Sequence, residues 1–350
     1  MYPALAVLRA LNAKHPGVET LWVGGEGGME TELVKREGIP FTTIPAAGLH
    51  GVGLRALPRN LIQLSRGVAA SQKILREFKP DVLFFTGGYV AGPMAFAGRK
   101  IPTLLFVPDI EPGLALRSLA RFADVIAVTT EESQKYFTQK ITVTGYPLRA
   151  DLGAWTRQKG RAALKLDDDS PVLLIVGGSK GARSINQVIV PNLPALLEMT
   201  QVVHITGQLD WEAVEIARAG LTSAQRTRYH AYPYLHEEMG AALAAADLVI
   251  ARAGASTLGE FPFFGLPAIL VPYPHAWRYQ KVNADYLAER GAAVMLEDEL
   301  ISGELLTVVK DLLDNPSKRE AMQKAMKSLN RPQAAQSIAE RIIALGEKRL

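Results

Sequence analysis

Residues 252–260 read "RAGASTLGE" and follow directly on the apolar run "ADLVIA". Arg252, Gly254, Ser256 and Thr257 set small polar groups and bare backbone at a strand-to-helix junction, and one acid, Glu260, follows about a turn later. The first N–H groups of a helix have no intrahelical acceptor, and the helix dipole adds partial positive charge at the same place. Such a junction suits an anion, and a diphosphate bound there needs no metal. Unpaired N–H donors are expected at Ala255, Ser256 and Thr257, with Glu260 close enough to accept both hydroxyls of a ribose, as acids do in dinucleotide folds. The plainer reading makes Ser256 or Thr257 an N-cap and Glu260 a first-turn acid favoured by the dipole.

Three further strands end in glycine turns: "WVGGEGG" (22–28), "FTGGYVAGP" (85–93) and "IVGGSKGARSINQ" (175–187). In the third, Gly177, Gly178, Ser179 and Gly181 open a helix, a second place where backbone donors can approach a ligand. After "FGLPAILVPYP", the residues His275, Arg278, Gln280 and Asn283 lead into another helix, and their amides suit sugar hydroxyls. His204, within "VVHIT", is expected to be packed, and "LDDDS" (166–170) to be a solvated turn.

These turns need a scaffold. Apolar runs alternate with amphipathic stretches along the whole chain, which predicts parallel sheets covered by helices on both faces. The strands expected in the first half are "TLWVGG", "DVLFFTGG", "PTLLFVPD", "DVIAVTT" and "KITVTGYP". In the second half they are "PVLLIVGGS", "TQVVHITG", "RYHAYPY", "DLVIARAG", "PAILVPYP" and "AAVMLED". The polar stretch from Tyr146 to Pro171 predicts a seam, hence two doubly wound domains, 1–150 and 151–332, facing across a cleft. A last helix within 333–350 is expected to pack back on one of them. "YPALAVLRALNAKH" reads as a helix where such a domain usually opens with a strand and a glycine-rich turn, so both are expected to be missing.

The 350 residues contain no cysteine, which excludes disulfides and thiolate metal sites, and no apolar run is long enough to span a membrane. Residues 1–150 carry 17 Lys and Arg against 12 Asp and Glu, and the remainder carries 22 against 23. The basic half favours an anionic partner. No RRM, helix-turn-helix or zinc pattern points to nucleic acid. Within 54–79 there are six basic residues and one acid; Leu57, Leu61, Ile62 and Leu64 form an apolar stripe flanked by Arg55, Arg59 and Arg66, which suits an anionic membrane surface.

Taken together, "GLHGVG" (48–53), "KPDVLFFTGGYVAGP" (79–93), "VTGYPLR" (143–149), "GGSKGARSIN" (177–186), "ADLVIARAGASTLGE" (246–260), "GLPAILVPYP" (265–274) and "Q..NA" (280–284) resemble the MurG family over nearly the whole chain. The resemblance implies a GT-B fold and an inverting transferase without cofactor or metal, at the cytoplasmic face of the bacterial membrane. Such an enzyme moves N-acetylglucosamine from UDP-N-acetylglucosamine to the muramyl 4-hydroxyl of lipid I. It also implies that Ser179 and Arg149 lie at the donor diphosphate, that backbone near Leu235 reads uracil, and that Ser256 and Thr257 hold phosphate. Glu260 would hold the ribose, with Gln280 and Asn283 at the sugar. The family's glycine-rich loop with a histidine, its usual general base, is expected to be missing ahead of the segment matching "YPALAV", and its "HEQN" motif aligns with "FVPD" (106–109). Asp109 and Glu111 are then the acids left as candidates, and a further family acid falls on Trp277. These departures imply two alternatives, a different acceptor or a chain that binds UDP-sugar without efficient transfer.

Overall fold

The computed structural model describes residues 1–28, 30–46, 57–178, 181–274 and 279–348. The chain divides into two compact units, Met1–Pro147 together with the segment from Gln333, and Leu148–Pro332.

The second unit is a six-stranded, fully parallel sheet. Its strands are β7 (Val172–Val176), β8 (Gln201–Ile205), β9 (Tyr229–Tyr232), β10 (Leu248–Ala251), β11 (Ala268–Leu270) and β12 (Ala293–Met295), in spatial order β12-β11-β10-β7-β8-β9. Read from β9, this is the 3-2-1-4-5-6 order of doubly wound nucleotide-binding folds. β7 and β8 are almost wholly buried, as strands covered on both faces are; β7 is Val, Leu and Ile throughout, and β8 adds Gln201 and His204. The helix Arg183–Met199 buries Ile185, Ile189, Leu193, Leu196 and Leu197 at helical spacing against Leu173, Ile175, Leu248 and Ile250, and Leu305, Val309 and Leu312 of the helix Ile301–Asp314 join the same core.

The first unit holds β1 (Trp22–Gly25) paired with β2 (Phe41–Ile44), and a separate parallel sheet β3-β4-β5-β6 of Leu83–Phe85, Thr103–Val107, Val125–Val128 and Ile141–Val143. Among the described residues β1 and β3 each have one hydrogen-bonded neighbour. The opening helix Tyr2–Lys14 lies against the last helix, Ala334–Glu347, and Lys14 Nζ meets Glu340 Oε1 at 2.7 Å. Ile338, Ala335 and Leu345 of that last helix pack with Ala6, Val7, Leu104 and Phe106.

The helix Leu57–Phe78 packs on Ala91–Ala97. Gly67 lets the same helix also meet the segment after β2, because a Cβ there would stand 2.3 Å from the Pro45 carbonyl oxygen, and it would lie 3.2 Å from Pro93 of the helix Ala91–Ala97. Leu61 and Ile62 are more than half exposed, and Arg59 and Arg66 are exposed beside them. Arg55 lies outside the described residues.

Every strand read from the sequence is present, with one addition. β2, "FTTI", has two threonines and is bounded by Pro40 and Pro45, so it carries neither an apolar run nor a clean alternation.

Candidate functional site

In a doubly wound sheet the crevice opens where the strand order reverses, beyond the carboxyl ends of the two central strands. Here those strands are β7 and β10. Val176 and Ala251 are register partners and the last residues of their strands, so the turns that begin at Gly177 and Arg252 start side by side.

The first turn is built for close approach. Gly178 and Gly181 have φ of +82° and +79°, and the Gly181 N–H donates to the Gly178 carbonyl at 3.0 Å. A Cβ on Gly177 would lie 2.2 Å from Ala182 N, and one on Gly181 2.4 Å from the Thr206 carbonyl oxygen. Glycine is required at both places by sterics. Ser179 lies outside the described residues, as do His275, Trp277 and Arg278.

The second turn differs from the sequence expectation in one respect. The Thr257 N–H and the Thr257 hydroxyl both donate to the Gly254 carbonyl, at 3.0 and 2.7 Å, and the residue is 5% exposed. Thr257 therefore closes the turn, and its N–H is not an open donor. The N–H groups of Ala255 and Ser256 have no acceptor among the described residues. Two backbone donors rather than three thus stand at the start of the helix Thr257–Phe264.

Glu260 is half-buried one turn into that helix. Burial pushes its carboxyl up to about 7, while the Arg149 guanidinium and a hydrogen bond from the Ser256 hydroxyl pull it down, and Asp151 pushes it up. Arg149 donates through Nη1 to the His236 carbonyl at 3.3 Å, and its Nε lies 3.8 Å from Asp151 Oδ1. This brings the loop that carries Leu235 to Arg149, whose charge reaches Glu260. The rings of Tyr234 and His236 meet edge-on at 4.5 Å on either side of Leu235.

Two amides differ in role. Gln280 Oε1 accepts the Tyr273 N–H at 2.9 Å; a backbone N–H can only donate, so the carbonyl end of the amide faces Tyr273 and the Nε2 end faces away from it. Asn283 is fully buried, and its Nδ2 donates to the Ala253 carbonyl at 3.1 Å. That hydrogen bond ties the Asn283 side chain to the backbone at the start of the second turn.

Sequence reasoning missed the layer beneath the turns. Asn186, 4% exposed, donates through Nδ2 to the Thr206 carbonyl and to Asp210 Oδ2, both at 2.8 Å. Its Oδ1 therefore faces His204, whose Nε2 carries the proton, and His204 Nδ1 accepts the Tyr229 hydroxyl; both contacts are 2.9 Å. Burial lowers the His204 pKa to about 3, so the ring is a neutral, packed element of the core. The only signal in the sequence was a histidine inside an apolar strand; its partners lie 18 and 25 residues away.

In the first unit Asp109 and Glu111 follow β4. Asp109 is half-buried. Glu111 is 8% exposed, with Arg117 Nη2 at 3.4 Å and the Tyr136 hydroxyl donating to its other oxygen at 3.4 Å. The same guanidinium lies over the Tyr136 ring at 5.1 Å.

The glycosyltransferase family 28 N-terminal domain matches residues 1–128, and the family's C-terminal domain matches residues 172–342. A UDP-N-acetylglucosamine--N-acetylmuramyl-(pentapeptide) pyrophosphoryl-undecaprenol N-acetylglucosamine transferase from Desulforudis audaxviator is 42% identical over 361 residues, covering 99% of this chain and 96% of that protein. A protein of the same name from a Roseiflexus species is 38% identical over 400 residues, covering 97% and 91%. The crystal structure of Acinetobacter baumannii MurG superposes with a TM-score of 0.75 at 27% identity, covering 98% of this chain and 95% of that one.

The Glu260 carboxyl yields a pH prediction. The unfolded chain releases this proton near the ordinary carboxylate value, whereas the native chain keeps it to about 7. Native stability should therefore fall as pH rises through that window. Glu260→Gln removes this component, so the variant should be more stable than the parent at pH 8 by about 1–3 kcal/mol and equal to it near pH 4. Urea midpoints measured against pH decide; parallel profiles would mean that the carboxyl is not held in its protonated form.

Proposed function

The chain belongs to the MurG family, within glycosyltransferase family 28, and has the GT-B fold; from that premise we propose that it transfers N-acetylglucosamine from UDP-N-acetylglucosamine to the muramyl 4-hydroxyl of undecaprenyl-linked lipid I, giving lipid II and UDP. The observation that carries this reading is the pairing, at one switch point, of two glycine turns that open helices, with Glu260 a turn beyond. In the displacement the acceptor oxygen attacks the anomeric carbon as the bond to the diphosphate breaks, so that configuration inverts. Negative charge builds on the leaving diphosphate. The Ala255 and Ser256 N–H groups and the two helix N-termini are aimed at that charge without reorganisation. The ionised Glu260 accepts the ribose hydroxyls, Leu235 and its loop cover the base, and Gln280 donates to oxygens of the sugar. Ser179 and Arg149 complete the diphosphate surroundings. On the acceptor side Asp109 and Glu111, which follow β4, are the candidate acids to take the hydroxyl proton.

The first unit is the acceptor and membrane side in this reading. Leu61 and Ile62, more than half exposed between Arg59 and Arg66, suit the anionic surface of the cytoplasmic leaflet, where the lipid-linked acceptor is held. Phe96, on the helix packed against them, is half exposed as well. No helix among the described residues is long and apolar enough to cross a membrane.

Radiolabelled UDP-N-acetylglucosamine with a lipid I analogue should give a labelled lipid-linked disaccharide. Glu260→Ala should weaken UDP binding by about 1–3 kcal/mol in calorimetry, the loss expected when hydroxyls lose a charged partner. UDP binding without label in the lipid product, in the presence of active acceptor, would point to another acceptor.

Charge reversal at Arg59 and Arg66 should abolish sedimentation with phosphatidylglycerol vesicles at low salt while UDP affinity is retained. The same binding by parent and variant would remove this helix from the membrane contact.

A further inference from the structure

The two turns at the switch point are joined by side chains that the proposed chemistry does not use. Arg252, the first residue after β10, shares its Nη1 among the Val271 carbonyl at 3.1 Å, the Pro272 carbonyl at 3.3 Å and Asp298 Oδ1 at 2.5 Å. Its Nη2 donates to Ser184 Oγ at 2.7 Å, and the Ser184 hydroxyl in turn donates to Asp298 Oδ1 at 2.7 Å. The guanidinium also lies over the Tyr273 ring at 5.3 Å. The side chains of Arg252 and Asp298 are 11% and 17% exposed. One planar fork thus ties together the ends of β10 and β11, the segment after β12, and the first turn of the helix Arg183–Met199.

We propose that Ser184 is a positioning residue: through Arg252 and Asp298 it fixes the start of the helix Arg183–Met199 against the Arg252–Ser256 turn, so that both helix N-termini address the same diphosphate. The inference rests on the reading of this switch point as the nucleotide site. Its physical basis is that an anion held by two separate helix starts is bound only while their spacing is kept, and a hydrogen-bonded support layer is what keeps it. Ser184 suits the role because its one hydroxyl both accepts from the cation and donates to the anion, which completes the ion pair's geometry. Lysine at 252 would not replace the arginine, since a single ammonium cannot span acceptors arranged around a planar fork. Neither Ser184 nor Asp298 needs to touch the ligand.

The test uses the full chain, with calorimetry for UDP and displacement for uridine, which shares the base and ribose but lacks the diphosphate. Ser184→Ala should lower UDP affinity about tenfold, the scale of one lost hydrogen bond to a charged group, and leave uridine affinity within about twofold. Its melting temperature should stay within about 2 °C of the parent, because the Arg252–Asp298 pair remains. Ser184→Thr, which keeps the hydroxyl, should restore UDP affinity, and Asp298→Asn should reproduce the selective loss. UDP affinity unchanged in Ser184→Ala, or lost in parallel with uridine affinity, overturns the positioning role. A parent chain that binds neither UDP nor uridine overturns the nucleotide-site reading itself, and the positioning role with it; that result is recognised before any variant is made.

Discussion

Two adjacent parallel strands that send their chains to opposite faces of a sheet leave the space beyond their ends open. In the second unit β7 continues toward β8 on one side, and β10 continues toward β11 on the other. That divergence creates the crevice, and it also sets two helix N-termini beside each other. Everything at this site follows from it. Glycine is needed at 177 and 181 because the first turn must fold tightly against Ala182 and the end of β8. The second turn leaves its strand and starts a helix within a few residues, and Thr257 closes it through the Gly254 carbonyl.

Helix starts carry positive potential, and an acid placed near them must be both tolerated and useful. Glu260 is held in balance: burial raises its pKa, whereas Arg149 and the Ser256 hydroxyl favour the ionised form. A carboxyl near neutrality can lose its proton when hydroxyl donors arrive to replace water. The same residue would be a fixed anion at a fully exposed position and a permanently protonated acid deep in the core.

The polar groups behind the turns are all paired. Asn186 bridges the first helical turn to Thr206 and Asp210, Asn283 holds Ala253, and His204 sits neutral between Tyr229 and Asn186. An unpaired amide or imidazole at these depths would be costly, whereas a satisfied one fixes a single arrangement of backbone. In this way the backbone that faces a ligand is made rigid by side chains that point away from it.

The alternation of apolar runs and amphipathic stretches determined eleven of the twelve strands among the described residues and the parallel α/β class, because burial on both faces forces Val, Leu and Ile into continuous runs. Local chemistry also marked both turns and Glu260, since glycine, serine and a first-turn acid act within one turn of their own backbone. β2 escaped because "FTTI" gains its place from pairing with β1 and not from its own composition. Only the tertiary structure decided that Thr257 spends its N–H and hydroxyl on Gly254, that Asn283 is buried behind Ala253, and that Ser184, Arg252 and Asp298 meet. Those three residues are separated by 68 and 46 positions along the chain. No periodicity or spacing in a sequence encodes such a meeting, because it depends on the strand order, which is settled by how whole helices pack on the sheet.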